Sequence, residues 1–230
     1  MEIKLGGRLQ AVLDFVPKDA PAADIGTDHG YLAAALIQSG RVPHVIASDL
    51  NAGPCDAARH TVQLTALQDQ ITVRRGSGLE PLEPGEVSTV CIAGMGGQLM
   101  IDILEASPAV VKKLDTLVLQ PQNAAPELRK WLYRHYWHIE DETLTVDDGR
   151  IYEILQAKRG RRKTPDPILL QIGPVLWEKK PALLRSHIES LLFLNKRIAA
   201  GMEKSEKARK SKKYKDCLKQ IQALEEHLTW

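Results

Sequence analysis

The sequence has few cysteines, no long apolar run and no basic N-terminal segment followed by an apolar stretch. Its three cysteines, Cys55, Cys91 and Cys217, lie far apart without a C-x-x-C pair. This spacing excludes a readable disulfide framework or cysteine zinc site and indicates buried thiols. No window approaches the roughly 18 consecutive apolar residues of a membrane span, and no secretory signal is recognisable. We therefore expect a cytoplasmic protein without membrane contact.

The composition predicts a folded globular protein. The 230 residues are 43% hydrophobic and 26% charged, and a disordered chain would be less apolar. This length accommodates one large domain with a small appendage.

Charge is distributed unevenly along the chain. Residues 1–150 contain 13 Lys and Arg against 20 Asp and Glu, whereas residues 151–230 contain 18 against 9. Such a split indicates contact of the basic part with nucleic acid or a membrane surface, although solvated helix faces also produce lysine runs.

Short apolar runs alternate with helical patterns over the first 158 residues. The runs are rich in β-branched residues and bounded by Gly, Pro, Asp or Ser, which predicts five strands at 22–26, 44–49, 71–76, 88–94 and 116–121. Helices are predicted at 31–38, at 54–67 after an Asn51 cap, at 98–105 and at 125–136. The order predicts a parallel sheet covered on both faces, followed by a hairpin at Asp148-Gly149. The order therefore predicts an α/β class, and it resembles the Rossmann-like arrangement of class I methyltransferases.

The character of the chain changes after Lys158. Residues 159–167 combine basic residues with prolines and read as a linker, so we predict domains of 1–160 and 161–230. Beyond it, two apolar seams recur at steps of three and four and predict a small coiled-coil-like helical hairpin domain, with Asn195 setting the register. The seams comprise Leu184, Ile188, Leu191, Asn195, Ile198 and Met202, and then Tyr214, Cys217, Ile221, Leu224 and Leu228.

The stretch DIGTDHGYL, residues 24–32, is the most informative motif. It places Asp24 and Asp28 at the first strand-to-helix turn, where open α/β sheets bind ligands, and Gly26 and Gly30 let the backbone approach a ligand. The spacing differs from G-x-G-x-x-G, and two carboxylates would repel a pyrophosphate but attract an ammonium or sulfonium group. S-adenosyl-L-methionine carries both groups, and the missing glycine spacing argues against a nicotinamide-dependent oxidoreductase.

Further candidate ligands follow the next strands. Asp49, with Leu50 beside it, ends the second predicted strand, where Rossmann-type folds place an acid that accepts both ribose hydroxyls. Ser77 and Gly78, in a loop that alone would be only a turn, could line the adenine ring.

The fourth and fifth predicted strands end in glycine and amide residues. Residues 93–96 (Ala93, Gly94, Met95, Gly96) are predicted to line the cofactor, packing alone being the alternative. Asn123 could contact a nucleobase edge or cap a helix.

Together these motifs resemble the bacterial TrmK-type tRNA (adenine-22-N1)-methyltransferases over essentially the whole chain. DIGTDHGYL and IAGMGG are the most specific parts of the resemblance, which also includes SDLNAGP, GSGLEPL and LQPQN. It implies a Rossmann-like S-adenosyl-L-methionine domain, a helical C-terminal domain and tRNA as substrate. Ser77 stands where the family usually has an acid, and Gly30 where it often has alanine. The N-P-P-Y type sequence of enzymes that methylate exocyclic adenine amines is absent, which favours a ring nitrogen.

The implied chemistry requires positioning more than an activated nucleophile, because adenine N1 already carries a lone pair. The methylated base becomes positive, so Asp28 is the candidate stabilising carboxylate, with His29 or Asn123 orienting the base. A purely structural role for His29 remains an alternative.

A basic surface is predicted to hold the tRNA phosphates without reading sequence. It comprises Arg161, Arg162, Lys163, Lys204, Lys207, Arg209, Lys210, Lys212 and Lys213. No metal site is predicted, since His135 and His138 lack further ligands. A small-molecule methyltransferase and a noncatalytic RNA-binding protein are the alternative functions.

Overall fold

The computed structural model describes all residues, Met1–Trp230. The chain divides into two compact units, Met1–Thr164 and Pro165–Trp230. The sequence-based boundary, after residue 160, falls in the same basic segment, four residues before the observed division.

The first unit is built on one seven-stranded sheet of order β3-β2-β1-β4-β5-β7-β6. The first five strands pair in parallel, and β7 is antiparallel to both β5 and β6. The strands are β1 Ala22–Ile25, β2 Val45–Asp49, β3 Ile71–Arg75, β4 Thr89–Met95, β5 Thr116–Pro121, β6 Trp137–Asp147 and β7 Arg150–Arg159. The predicted parallel sheet with a terminal antiparallel hairpin is confirmed.

Six helices cover the sheet. They are α1 Gly7–Phe15, α2 Tyr31–Gln38, α3 Ala52–Thr65, α4 Gly97–Ala106, α5 Pro108–Val111 and α6 Ala125–Arg134. The strands β1 and β5 are buried along their whole length, because helices lie on both faces of a parallel sheet. The helices α1 and α5 were not predicted. Asn51 stands at the N-cap position of α3, as predicted, and its side chain makes no capping hydrogen bond.

A buried ion network ties α6 to the terminal hairpin. Arg129 of α6 is fully buried; its Nε donates to Glu142 of β6 at 2.6 Å and its Nη2 to Glu153 of β7 at 2.5 Å. Burial alone would lower the pKa of Arg129, but the two carboxylates outweigh it and raise that pKa. The two ion pairs therefore stabilise the charged form of Arg129 in the interior of the first unit.

The second unit is helical. Its helices are α7 Pro167–Ile172, α8 Pro174–Lys179, α9 Leu184–Glu203, α10 Glu206–Arg209 and α11 Lys212–His227. The long helices α9 and α11 pack together, and Asn195 is buried between them beside Cys217, whose Sγ lies 3.4 Å from the Asn195 carbonyl oxygen. The predicted seam position Ile198 was wrong: its side chain is 41% exposed, and Ala199 is buried instead. The seam steps by four from Asn195 to Ala199, so the heptad spacing is not maintained.

Two sequence expectations concern the whole chain. The three cysteines are free and buried, as predicted. No helix has both the length and the apolar character that a bilayer span requires.

Candidate active site

Two adjoining cavities open at the carboxyl edge of the sheet, which we define as the edge where β1 to β5 end. The first, of about 270 Å³, lies over the turn between β1 and α2. The second, of about 330 Å³, lies over the ends of β2, β3 and β4. Gly26, Ala93 and Gly94 line both cavities. The two cavities are therefore parts of one cleft, in the position where open α/β sheets bind ligands.

The turn after β1 depends on its glycine. Gly26 has φ +73°, and the backbone N–H groups of Gly26 and Thr27 both donate to the carbonyl of Ser48. A Cβ on Gly26 would lie 2.2 Å from Cε of Met95, so the Met95 side chain passes directly over the turn. Glycine at this position leaves room for the Met95 side chain against the floor of the cleft.

Asp24 is a buried acid in the wall of the first cavity. Its side chain, only 4% exposed, accepts a 2.6 Å hydrogen bond from Oγ1 of Thr27. Burial raises the pKa of Asp24 from 3.8 to about 6, an effect that the Thr27 hydrogen bond partly offsets. A cation bound here would stabilise the ionised carboxylate and lower this pKa.

Asp28 and Asp49 add two more acids to the cleft. Asp28 lines the first cavity with its side chain 70% exposed, and Oδ2 lies 3.6 Å from Nε2 of His29. Asp49 lines the second cavity, where its carboxylate accepts from the backbone N–H of Asn51 at 3.0 Å and of Asp28 at 3.4 Å. These bonds hold the Asp49 carboxylate at the end of β2.

Most of the predicted cofactor residues lie together in this cleft. The first cavity contains Asp24, Gly26, Asp28, Ala93 and Gly94, and the second contains Gly26, Asp49, Leu50, Ser77, Gly78, Ala93, Gly94 and Met95. His29, predicted to orient the base, also lines the first cavity, and its ring stacks on Tyr31 with centroids 5.4 Å apart.

Three predicted residues lie outside both cavity linings. Gly30 is the N-cap of α2, where a Cβ would approach Ala58 of α3 to 3.2 Å, so it allows the two helices to pack closely. Gly96 is the N-cap of α4, against the side chain of Asn123. Asn123 is exposed, and the N-cap of α6 is Ala124, so Asn123 does not cap that helix.

Arg8 is a site residue that the sequence analysis missed. It lies on the unpredicted helix α1, lines the first cavity, and donates from Nη1 to Oε1 of Gln120 at 2.8 Å. The same Gln120 oxygen accepts from the backbone N–H of Gly94, so Arg8 is held beside the turn after β4. The sequence feature that could have indicated Arg8 is its position as an isolated arginine among the apolar residues of α1.

The predicted RNA-binding residues fall into two groups. Arg161, Arg162 and Lys163 were assigned to the C-terminal domain, but they lie at the end of the first unit. The other six are exposed in the second unit, at the end of α9, in the short α10 and at the start of α11: Lys204, Lys207, Arg209, Lys210, Lys212 and Lys213.

Comparison with known proteins identifies the family. Residues 5–155 match the family model described as a methyltransferase domain. The tRNA (adenine(22)-N(1))-methyltransferase of Bacillus subtilis (strain 168) is 38% identical over 187 residues, which is 79% of each chain. The protein belongs to the tRNA (adenine-22-N1)-methyltransferase family. This confirms the resemblance found in the sequence.

Solved structures of family members agree over the whole length. The crystal structure of the B. subtilis m1A22 tRNA methyltransferase TrmK has a TM-score of 0.90 and 32% identity, covering 99% of this chain and 100% of that one. Streptococcus pneumoniae Sp1610 in complex with S-adenosyl-L-methionine has a TM-score of 0.84 and 30% identity, covering 96% and 98%. The helical second unit is therefore part of the shared family architecture.

Proposed function

We propose that this protein transfers a methyl group from S-adenosyl-L-methionine to N1 of adenine 22 in tRNA. The observation that carries the proposal is the acidic, glycine-floored cleft at the carboxyl edge, in a chain that belongs to this family. When bound, the cofactor supplies an electrophilic methyl group on a sulfonium.

The residues of the cleft fit that cofactor chemically. The carboxylate of Asp49 suits the two ribose hydroxyls, with Leu50, Ser77 and Gly78 around the adenine. Asp24 suits the cationic end of the methionine moiety, and Arg8 suits its carboxylate, since guanidinium pairs well with carboxylates. Gly26 and Gly94, both with positive φ, add no side chain of their own to the floor of the cleft.

The protein contributes positioning and electrostatics to the transfer. Alignment of reacting groups can supply about 7–11 kcal/mol, and no base is needed because N1 is already unprotonated. The exposed carboxylate of Asp28 is proposed to stabilise the positive charge that develops on the base. The His29–Tyr31 stack, on the same cavity, is proposed to orient the adenine. Asn123 is exposed, and a role in base orientation requires the tRNA to bring the base towards α6.

The target adenine must be unpaired or flipped out, because N1 lies on its Watson–Crick edge. The exposed cations of the second unit, from Lys204 to Lys213, are proposed to hold the surrounding phosphates. We also propose the cytoplasm as the compartment, where tRNA would be encountered.

The deciding experiment combines the purified protein, unmodified tRNA and labelled S-adenosyl-L-methionine, followed by nucleoside mass spectrometry. We expect 1-methyladenosine in the tRNA, and none in a tRNA with guanosine at position 22. Methylation that persists in the substituted tRNA would contradict the position. An Asp28→Asn variant with unchanged kcat and cofactor affinity would exclude the proposed role of Asp28.

The tRNA surface is tested separately by a Lys207→Gln/Lys210→Gln variant. We expect weaker tRNA binding with a shallower salt dependence, by about one unit of slope per lost phosphate contact. Cofactor affinity, measured by calorimetry, should not change. Wild-type tRNA affinity at all salt concentrations would remove α10 from the interface.

A further inference from the structure

A basic and aromatic cavity lies at the opposite edge of the sheet from the cofactor cleft, where β1 to β5 begin. Its volume is about 400 Å³, and we call it the amino-edge cavity. It is lined by Tyr133, Arg134, Tyr136, Arg161, Arg162, Lys163 and Thr164. Four cations and two tyrosines line it, and no acid does. All of these residues belong to the first unit.

Most of the cations are available to a ligand. Arg162 lies 3.3 Å from Glu140, a carboxylate that also accepts from His138. Arg134, Arg161 and Lys163 are exposed and make no ion pair. Such a group of unneutralised cations attracts an anion of extended shape, such as a phosphate backbone.

Tyr136 provides the second, independent observation. It follows the last residues of α6 and has φ +62°, a conformation that glycine or asparagine usually supplies after a helix. Tyr136 is nevertheless 61% exposed, so burial does not compensate for the backbone strain. The guanidinium carbon of Arg161 lies 5.8 Å from the centroid of the Tyr136 ring, so one face of the ring has a cation beside it. An exposed tyrosine beside arginines is the usual platform for an unpaired nucleobase.

The amino-edge cavity is too far from the cofactor cleft to take part in the chemistry. Tyr136 immediately precedes β6, and Asp147 at the other end of β6 accepts a hydrogen bond from the backbone N–H of Arg8, which lines the cleft. An 11-residue strand spans roughly 33 Å. Anything bound at Tyr136 therefore acts on substrate binding and not on methyl transfer.

We propose that the amino-edge cavity binds an unpaired nucleotide of the RNA substrate, with its base stacked on Tyr136 and its flanking phosphates held by Arg134, Arg161 and Lys163. The identification of that RNA as tRNA rests on the proposed function. The site is a second RNA contact, remote from the methylated adenine.

The test uses the full-length protein with the variants Tyr136→Gly, Tyr136→Phe and Arg161→Gln, and Lys4→Gln as a control that removes an exposed charge elsewhere. The Kd for unmodified tRNA is measured directly, together with KM and kcat for methylation. We expect Tyr136→Gly and Arg161→Gln to raise Kd and KM at least about 5-fold, as loss of one stacked base or phosphate contact does. Tyr136→Phe and Lys4→Gln should stay within about 2-fold of wild type, and kcat should not change in any variant.

Tyr136→Gly also separates binding from folding. Glycine relieves the strained backbone, so the variant should melt at the wild-type temperature or above it. Weaker RNA binding in a protein of undiminished stability therefore supports a direct contact.

Three outcomes would overturn the inference. Wild-type Kd in both Tyr136→Gly and Arg161→Gln would exclude an RNA contact here. A raised Kd in Arg161→Gln alone would indicate an anion site without base stacking. If polyglutamate displaced the RNA equally well from wild type and from Tyr136→Gly, the ligand of the cavity would be an acidic peptide. If the wild-type protein methylated no tRNA, the proposed function would fail, and the Kd comparison would still decide whether this cavity binds RNA.

Discussion

The two edges of the same sheet differ in charge and in how their functional groups are held. At the carboxyl edge three acids line the cleft together with one cation, Arg8, and one of the acids, Asp24, is buried with its pKa raised to about 6. At the amino edge the groups are the exposed side chains of Tyr136 and Arg161, with Lys163 beside them. The first edge suits a small cationic ligand and the second suits an extended anionic one.

The difference teaches where large effects of substitution are expected. Asp24 in the cleft is removed from water, and the backbone turn at Gly26 fixes the shape of the cleft, so single substitutions at these two positions should have large effects on cofactor binding. Charges at the amino edge are screened by salt, and each contributes a small part of a distributed contact. Substitution of a single residue should therefore weaken cofactor binding strongly, whereas RNA binding should weaken strongly only when several basic residues are substituted together.

The largest effect of a substitution is expected for the free energy of unfolding, at Arg129, which lies between the two edges of the sheet. An Arg129→Met substitution leaves Glu142 buried without its cation, which costs about 3–5 kcal/mol of unfolding free energy. Urea unfolding of the full chain measures the loss. An Arg129→Met/Glu142→Gln double variant removes the uncompensated charge and should recover part of it. A loss below about 1 kcal/mol in the single variant would show that the network is not needed to connect α6 to the hairpin.

The next largest effect is expected for cofactor affinity, when Gly26 in the turn at the carboxyl edge is substituted. Gly26→Ala adds a Cβ that collides with Cε of Met95, in a backbone conformation that alanine rarely adopts. Cε of Met95 is the end of a flexible side chain and can move, but it then moves within the cleft that Met95 lines. Together with backbone strain of about 1–3 kcal/mol, this should lower cofactor affinity roughly 5- to 150-fold if the cost falls on the bound state. Calorimetry with S-adenosyl-L-methionine measures this.

Gly85→Ala is the matched control for the turn. Gly85 also has a positive φ, +90°, but a Cβ there would meet no atom within 4 Å. It should carry the backbone strain without affecting cofactor affinity. Equal affinity losses in both variants would mean that strain alone, and not the closeness of Met95, limits position 26.

The sequence predicted the carboxyl edge well for a physical reason. Strand ends, glycines and acids are local signals, and parallel strands necessarily bring their carboxyl ends to one edge. Asp24, Asp28 and Asp49 could therefore be assigned to one cleft before the structure was known. Arg8 could not, because its helix precedes the sheet, and its place in the cleft depends on packing against β6 and β7.

The amino edge was predicted only in part. Arg161, Arg162 and Lys163 were recognised as basic, but the linker composition suggested that they belong to the helical domain. Tyr136 carried no sequence signal, since its positive φ and its exposed ring follow from the way α6 ends. The failure at Ile198 has a similar cause, because the seam of a short helical pair is decided by packing and not by heptad spacing alone.

The smallest of the three effects tests the buried acid itself. Asp24→Asn keeps an oxygen for the Thr27 hydroxyl but removes the negative charge. At pH 8 we expect about a 10- to 100-fold loss of cofactor affinity, the usual range for a hydrogen bond to a charged group. At pH 5 the difference should shrink, because Asp24 is then largely protonated in the wild-type protein. An affinity difference independent of pH would show that charge on Asp24 is not what binds the cofactor.

The same variant should have the opposite effect on folding. The pKa of Asp24 rises from 3.8 to about 6 on folding, so the ionised side chain opposes the folded state progressively from pH 4 upward. Above pH 6 this penalty reaches at most about 3 kcal/mol, and it is absent below pH 3.8. Without cofactor, Asp24→Asn should therefore unfold at higher urea than wild type at pH 8, and at similar urea at pH 4. If the variant gains folding stability and loses cofactor affinity, the charge on Asp24 serves ligand binding and not folding. If it loses both at pH 8, Asp24 has a structural role.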